Sequence, residues 1–157
     1  MSDIDGGGWQ LVRHVPAGTV WHKATDQLTG TDSYGTPCGP TCRHEWSVRF
    51  LNIRFNQFLI ITGDRKKWLI ANKDQLIGSY YSNQPRLVNK SSKNSSSYYS
   101  KWYRRKGHVE DPWVSLGDYE QSVGTGEVLY GEGHYMGKHA TDVLDSHNGA
   151  NVYIRLR

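Results

Sequence analysis

Cysteine is almost missing from this 157-residue chain, which holds only Cys38 and Cys42, four positions apart. So close a pair cannot staple a fold together, and a chain of this length buries a core without such staples. Proline (5), phenylalanine (3) and methionine (2) are sparse too. No apolar run approaches the roughly 20 residues of a spanning helix, so no membrane span is expected. Met1-Ser2-Asp3-Ile4-Asp5 runs directly into glycine with no basic start and no apolar stretch. An intracellular protein is expected on that ground, unless a leader has been removed.

Acidic residues are absent from 75–109, a segment that carries Arg86, Lys90, Lys93, Lys101, Arg104, Arg105 and Lys106. Outside it, the remaining twelve positive charges face fifteen negative ones, a balance of −3 against +4 for the whole chain. The basicity is therefore local. Such a patch either favours an anionic partner or serves as a solvated face.

Named catalytic signatures are missing as well. There is no Gly-x-Ser-x-Gly elbow, no phosphate loop and no zinc-protease helix. Gly124-Thr125-Gly126 lacks the third glycine and the preceding strand of a dinucleotide site. No catalytic residue, metal ligand or cofactor is assigned, and a non-catalytic role is expected over an enzyme of unknown chemistry.

What is present is turn-rich and aromatic: seventeen Gly, six Trp and ten Tyr. Strand patterns dominate at 9–15, 45–55, 57–62, 67–71, 75–81, 86–89, 98–105, 113–116, 127–130 and 151–156. The run 57–62 is apolar at consecutive positions and predicts a strand buried on both faces. Val152, Ile154 and Leu156 alternate with Tyr153 and Arg155, which predicts a half-buried strand. A phase shift at Leu51-Asn52 predicts a bulge or bend within 45–55. Short helices are possible at 21–28 and 139–146. The fold class is mainly β (α+β): one domain over 1–157, antiparallel sheets, one or two short helices and long loops. Residues 1–5 are expected to be disordered, and the Ser-rich segment 90–97 to form a mobile loop.

Cys38-Gly39-Pro40-Thr41-Cys42 has one residue too many between its thiols for the usual redox motif. It fits a Gly-Pro turn with a local bridge or free thiols. With His44 it could also begin a zinc set that needs a distant fourth ligand such as His22. The seven histidines show no recognisable ligand spacing.

Two segments are candidates for ligand contact. In Tyr98-Tyr99-Ser100-Lys101-Trp102-Tyr103-Arg104-Arg105-Lys106, a strand would set Tyr99, Lys101, Tyr103 and Arg105 on one face. Tyr98, Ser100, Trp102 and Arg104 would share the other. Such rows stack on bases or sugar rings and pair with anions, or simply protect an edge strand. In Tyr130-Gly131-Glu132-Gly133-His134-Tyr135, glycines flank Glu132, His134 and Tyr135, a composition suited to a polar pocket or an ordinary turn.

The opening Gly6-Gly7-Gly8-Trp9-Gln10-Leu11-Val12 resembles the start of fibrinogen C-terminal-like domains, including the intelectin lectins. The closing Asn151-Val152-Tyr153-Ile154-Arg155-Leu156-Arg157 is similar to their final strand. The resemblance implies a compact, mainly β, extracellular recognition module that binds glycans or acetylated groups, usually with calcium. This chain is shorter, lacks the spaced disulfide pairs and has no acidic run like the family's calcium loop, so no binding residue is carried over. The expected function is a non-catalytic, lectin-like module for a glycan or an anionic ligand. Single-stranded nucleic-acid binding through 98–106 is the alternative.

Overall fold

Strands that are apolar at consecutive positions need cover on both faces of their sheet. A computed structural model describes residues 4–16, 24, 26, 28–77, 85–100, 114–117, 128–130, 134–135, 138–139 and 149–157. Its strands are, in order, Gln10–Val15 (β1), Trp46–Ser47 (β2), Gln57–Thr62 (β3), Trp68–Asn72 (β4), Arg86–Val88 (β5) and Lys90–Ser91 (β6). Tyr98–Ser100 (β7), Val114–Ser115 (β8), Val128–Tyr130 (β9), His134–Tyr135 (β10), Lys138–His139 (β11) and Ala150–Arg155 (β12) follow. One helical turn, Lys73–Leu76 (α1), leaves β4.

Six strands form the main antiparallel sheet in the order β2-β1-β12-β3-β4-β6, and β5-β7, β8-β9 and β10-β11 form small ladders. The architecture is mainly β, as the sequence predicts. The first and last long strands pair with each other in the middle of the sheet. Register explains the two cores. Val152, Ile60 and Leu69 lie opposite one another across β12, β3 and β4, as do Ile154, Phe58 and Ala71. All six belong to the larger core, together with Phe50, Phe55, Val88, Val114, Leu129 and Tyr130. Phe50, Phe55 and Phe58 meet edge to face at centroid distances of 5.1–6.2 Å.

The opposite face carries the row Leu11, Tyr153, Leu59 and Ile70 across β1, β12, β3 and β4. Trp9, Ile61, Ile4 and Trp68 complete this second cluster. Its cover is the segment before β1. The structure differs here from the half-buried strand predicted at 151–156: Ala150–Arg155 is buried throughout, and Leu156 is 56% exposed. A central strand with cover on both sides hides its odd and its even residues alike.

Other expectations are corrected too. Over 45–55 only Trp46 and Ser47 form a strand, and a turn begins at Leu51. Phe50 is buried from an irregular segment that curls against Gly30, whose carbonyl accepts from the N–H groups of Phe50 and Leu51. A Cβ at Gly30 would stand 2.7 Å from the Phe50 ring, so this approach requires glycine. The predicted strand at 75–81 is not formed at its start, because Gln75 and Leu76 belong to α1, while 78–81 lie outside the described residues. His139 is in β11 rather than opening a helix, and 140–146 lie outside the described residues, as does most of 21–28.

Two segments expected to be loose carry defined contacts. Lys90 and Ser91 pair with Ile70 and Leu69 as the sheet's edge, and Ser91 Oγ accepts from the N–H groups of Lys93 and Asn94. Asp5 is bound to Lys90, Arg155 and Arg157. Among the described residues, no helix is long and apolar enough to cross a membrane.

Candidate functional site

The basic aromatic segment is described only at its start. In β7, Tyr99 points outward and is 70% exposed, while Ser100 is buried. Tyr98 is half-buried, and its hydroxyl donates to the Leu116 carbonyl at 2.8 Å and meets Ser91 Oγ at 3.0 Å. Tyr98 thus ties β7 to the strand edge and is not offered to a ligand. Lys101, Trp102, Tyr103, Arg104, Arg105 and Glu132 lie outside the described residues. His134 and Tyr135 form the strand β10, where His134 is the register partner of His139 and Tyr135 of Lys138. Spacing of five, which separates two residues on a helix, joins them across a hairpin.

A well-formed concavity of the described surface lies elsewhere. It is about 570 Å³, within the usual 300–1,000 Å³ of ligand clefts, and is lined by Asn56, Asn72, Lys73, Asp74 and Ile77. Strand pairing assembles it. Gln57 faces Asn72 in the β3-β4 register, which sets Asn56 beside α1, and the Lys73 N–H donates to the Asn56 carbonyl at 2.8 Å. The Asn56 amide is engaged with the end of the chain: it donates to the Arg157 carbonyl at 2.8 Å and accepts the Arg157 N–H at 2.9 Å. The Lys73 ammonium sits 4.2 Å from the centre of the Phe55 ring. Asp74 is exposed. Asn72 Oδ1 accepts from Asn89 Nδ2 at 3.4 Å, while Asn89 Oδ1 is buried without a hydrogen-bond partner. The sequence suggests only a turn for 72–74.

A smaller concavity of about 170 Å³ is bounded by Asp5, Gly6, Gly7, Gly8, Arg155, Leu156 and Arg157. Asp5 takes the Lys90 ammonium at 2.6 Å, the Arg155 guanidinium at 2.7 Å and that of Arg157. The Lys90 hydrogen bond, aided by Arg155 and Arg157 and opposed by burial, lowers the Asp5 pKa to about 2. A carboxylate with a depressed folded-state pKa adds stability above its unfolded value, and that stability is lost as pH falls through the folded one. Between Asp5→Asn and the parent, the stability difference is expected to be on the order of 1 kcal/mol at pH 6, discounted for screening. Most of it should be lost by pH 2, where the folded-state carboxyl is about half protonated. Urea midpoints at the two pH values check this, and a difference at pH 2 as large as that at pH 6 would contradict it.

Arg13 is fully buried and reaches into the larger core. The register slips between Leu11 and Arg13 in β1, so Val12 and Arg13 both turn to that side. Its guanidinium pairs with both Asp26 oxygens (2.8 and 3.1 Å), donates to Ser47 Oγ and Tyr130 Oη, and lies 5.3 Å from the Phe50 ring centre. Asp26 also accepts from the backbone N–H groups of Leu28, Gly30 and Asp32. Through these hydrogen bonds the pair ties the backbone at Leu28, Gly30 and Asp32 to β1.

Cys38 and Cys42 form a disulfide. Closing a ring of five residues stabilises by only about 2 kcal/mol in the chain-entropy account. Three hydrogen bonds hold the same loop to the sheet independently: Trp46 Nε1 to the Gly39 carbonyl, His14 Nε2 to the Cys42 carbonyl, and the Asn151 amide to the Pro40 carbonyl. Among the described residues, no group of three His, Cys, Asp or Glu side chains is placed to hold a metal ion. Neither a protein-family model, nor a curated protein, nor a solved structure matches this chain.

Proposed function

We propose that this domain is a non-catalytic recognition module that binds a polyhydroxylated ligand of the glycan class in the cleft beside α1. The lining of that cleft carries the reading: two amides, a carboxylate, an ammonium and the apolar Ile77. Amides donate to and accept from neighbouring hydroxyls, a carboxylate accepts from them, and an apolar wall packs on the C–H face of a sugar ring. Asn89 donates from Nδ2 to Asn72 Oδ1 and so helps to hold the Asn72 side chain. The likeness of the opening to fibrinogen C-terminal-like domains points to the same ligand class.

A glycan array followed by calorimetry on the best binder tests the reading. Asn72→Ala or Asp74→Ala is expected to weaken binding at least tenfold, roughly the 1.4 kcal/mol of one or two lost hydrogen bonds. The sheet should stay intact by circular dichroism. An array without binders, or a binder indifferent to both substitutions, would sink it. The exposed Tyr99 favours the nucleic-acid alternative, which would show itself as binding to single strands that collapses with added salt and with loss of Arg104 and Arg105.

A further inference from the structure

We propose that the Cys38–Cys42 disulfide is a thiol–disulfide exchange site for small-molecule or peptide thiols, with Cys38 as the attacked sulfur and Cys42 as the resolving one. Cys38 is exposed while Cys42 is half-buried, so an incoming thiolate meets Cys38 first. His44 places Nε2 3.4 Å from Cys38 Sγ, and the same N–H donates to the Thr36 carbonyl at 3.0 Å. An imidazole N–H shared with the sulfur stabilises negative charge on it, which is what a reactive thiolate needs.

The frame around the two sulfurs does not depend on their bond. Carbonyls of Gly39, Pro40 and Cys42 are each held from the sheet side, at 3.1, 3.4 and 2.7 Å. Opening the bridge therefore leaves Cys38 and Cys42 within reach of each other, and closing it again needs little rearrangement. A bridge that contributes little to stability, lies at the surface and has a hydrogen-bond donor at one sulfur is suited to chemistry more than to bracing.

The exchange balances without a cofactor. A thiolate attacks Cys38 Sγ, the mixed disulfide forms, the Cys38–Cys42 bond breaks, and Cys42 leaves as a thiolate that takes a proton from water. A second thiolate attacks the ligand sulfur of the mixed disulfide. The ligand disulfide departs, and the electron pair stays on Cys38 beside the His44 N–H. Two thiols are oxidised and one protein disulfide is reduced; the reverse sequence reduces a ligand disulfide.

The test uses the full chain with glutathione as the probe. The folded parent should be reduced by millimolar glutathione without loss of its sheet signal. With oxidised glutathione, Cys42→Ser should accumulate a single adduct at Cys38 by mass spectrometry, and Cys38→Ser should react at least tenfold more slowly. In the reduced protein, iodoacetamide should label Cys38 about tenfold faster than Cys42. His44→Ala should abolish that preference, and His44→Asn, which keeps an N–H donor, should retain part of it. A bridge that resists glutathione in the folded parent would overturn the proposal, and that measurement needs no substitution. Equal labelling of the two thiols would overturn it as well, as would uptake of one zinc per reduced chain with loss of thiol reactivity.

Discussion

Replacing Arg13 with Met is expected to lower stability by about 3–5 kcal/mol, because it leaves the Asp26 carboxylate buried without its cation. Both side chains of this pair have no solvent exposure. Domains hold only about 5–15 kcal/mol in total, so the loss should move the urea midpoint sharply and lower the melting temperature by roughly 10 °C. Met fills much of the volume of Arg, so a cavity is not the cause. The cause is charge, and a second substitution can separate it from shape. Arg13→Met combined with Asp26→Asn removes both charges and should recover part of the loss. Recovery stays partial because the Leu28, Gly30 and Asp32 N–H groups use both Asp26 oxygens, and an amide offers one. Ser47→Ala, which removes one neutral acceptor from the Arg13 Nε–H, should cost nearer 1 kcal/mol. A cost below 1 kcal/mol for Arg13→Met would mean that Asp26 reaches water in solution.

That pair also shows where sequence reading ends. Strict alternation along 9–15 sets Leu11, Arg13 and Val15 on one face, yet a single register slip sends Leu11 to one core and Arg13 to the other. A bulge leaves no mark in composition, and an Arg in a strand looks solvent-facing until its Asp is located thirteen residues on. Runs that are apolar at every position are different. Gln57–Thr62 has the bounds and the two-sided burial that its sequence predicts, since no other placement hides consecutive Phe, Leu and Ile. Ala150–Arg155 is legible as a strand but not as a central one, because its cover comes from the opposite end of the chain. Phe50 misleads in the other direction: its alternation with Trp46 and Val48 suggests a strand, although it enters the core from a curl against Gly30. Of the cleft, Lys73 and Asp74 are visible only as turn residues. A polar turn has the same composition whether it borders a cleft or open water, and Asn56 joins it only through β3-β4 pairing.

Trp9→Ala should cost about 3–5 kcal/mol, toward the upper end for a large aromatic, because the site has little freedom to collapse. On one side Trp9 rests against the second core with Leu59, Ile61, Ile70 and Tyr153, all in well-paired central strands. On the other, the segment above it is pinned: Arg155 donates to the carbonyls of Asp5 and Gly7 at 2.8 and 2.9 Å and binds the Asp5 carboxylate. The Arg155 guanidinium carbon lies 4.0 Å from the Trp9 ring centre, and the indole N–H donates to the Ile4 carbonyl at 2.9 Å. Trp9→Phe keeps an aromatic face for Arg155 and most of the apolar area, and loses that hydrogen bond, so about 1 kcal/mol is expected. The contrast between the two variants, read by urea unfolding with circular dichroism, separates burial from hydrogen bonding. A loss below 1 kcal/mol for the alanine variant would show that the segment does not seal the sheet. Gly6, Gly7 and Gly8 make the seal possible, with φ of 86°, 75° and 79° in succession. Only glycine holds three consecutive left-handed residues without strain, and this path brings the Asp5 and Gly7 carbonyls to one guanidinium before the chain enters β1.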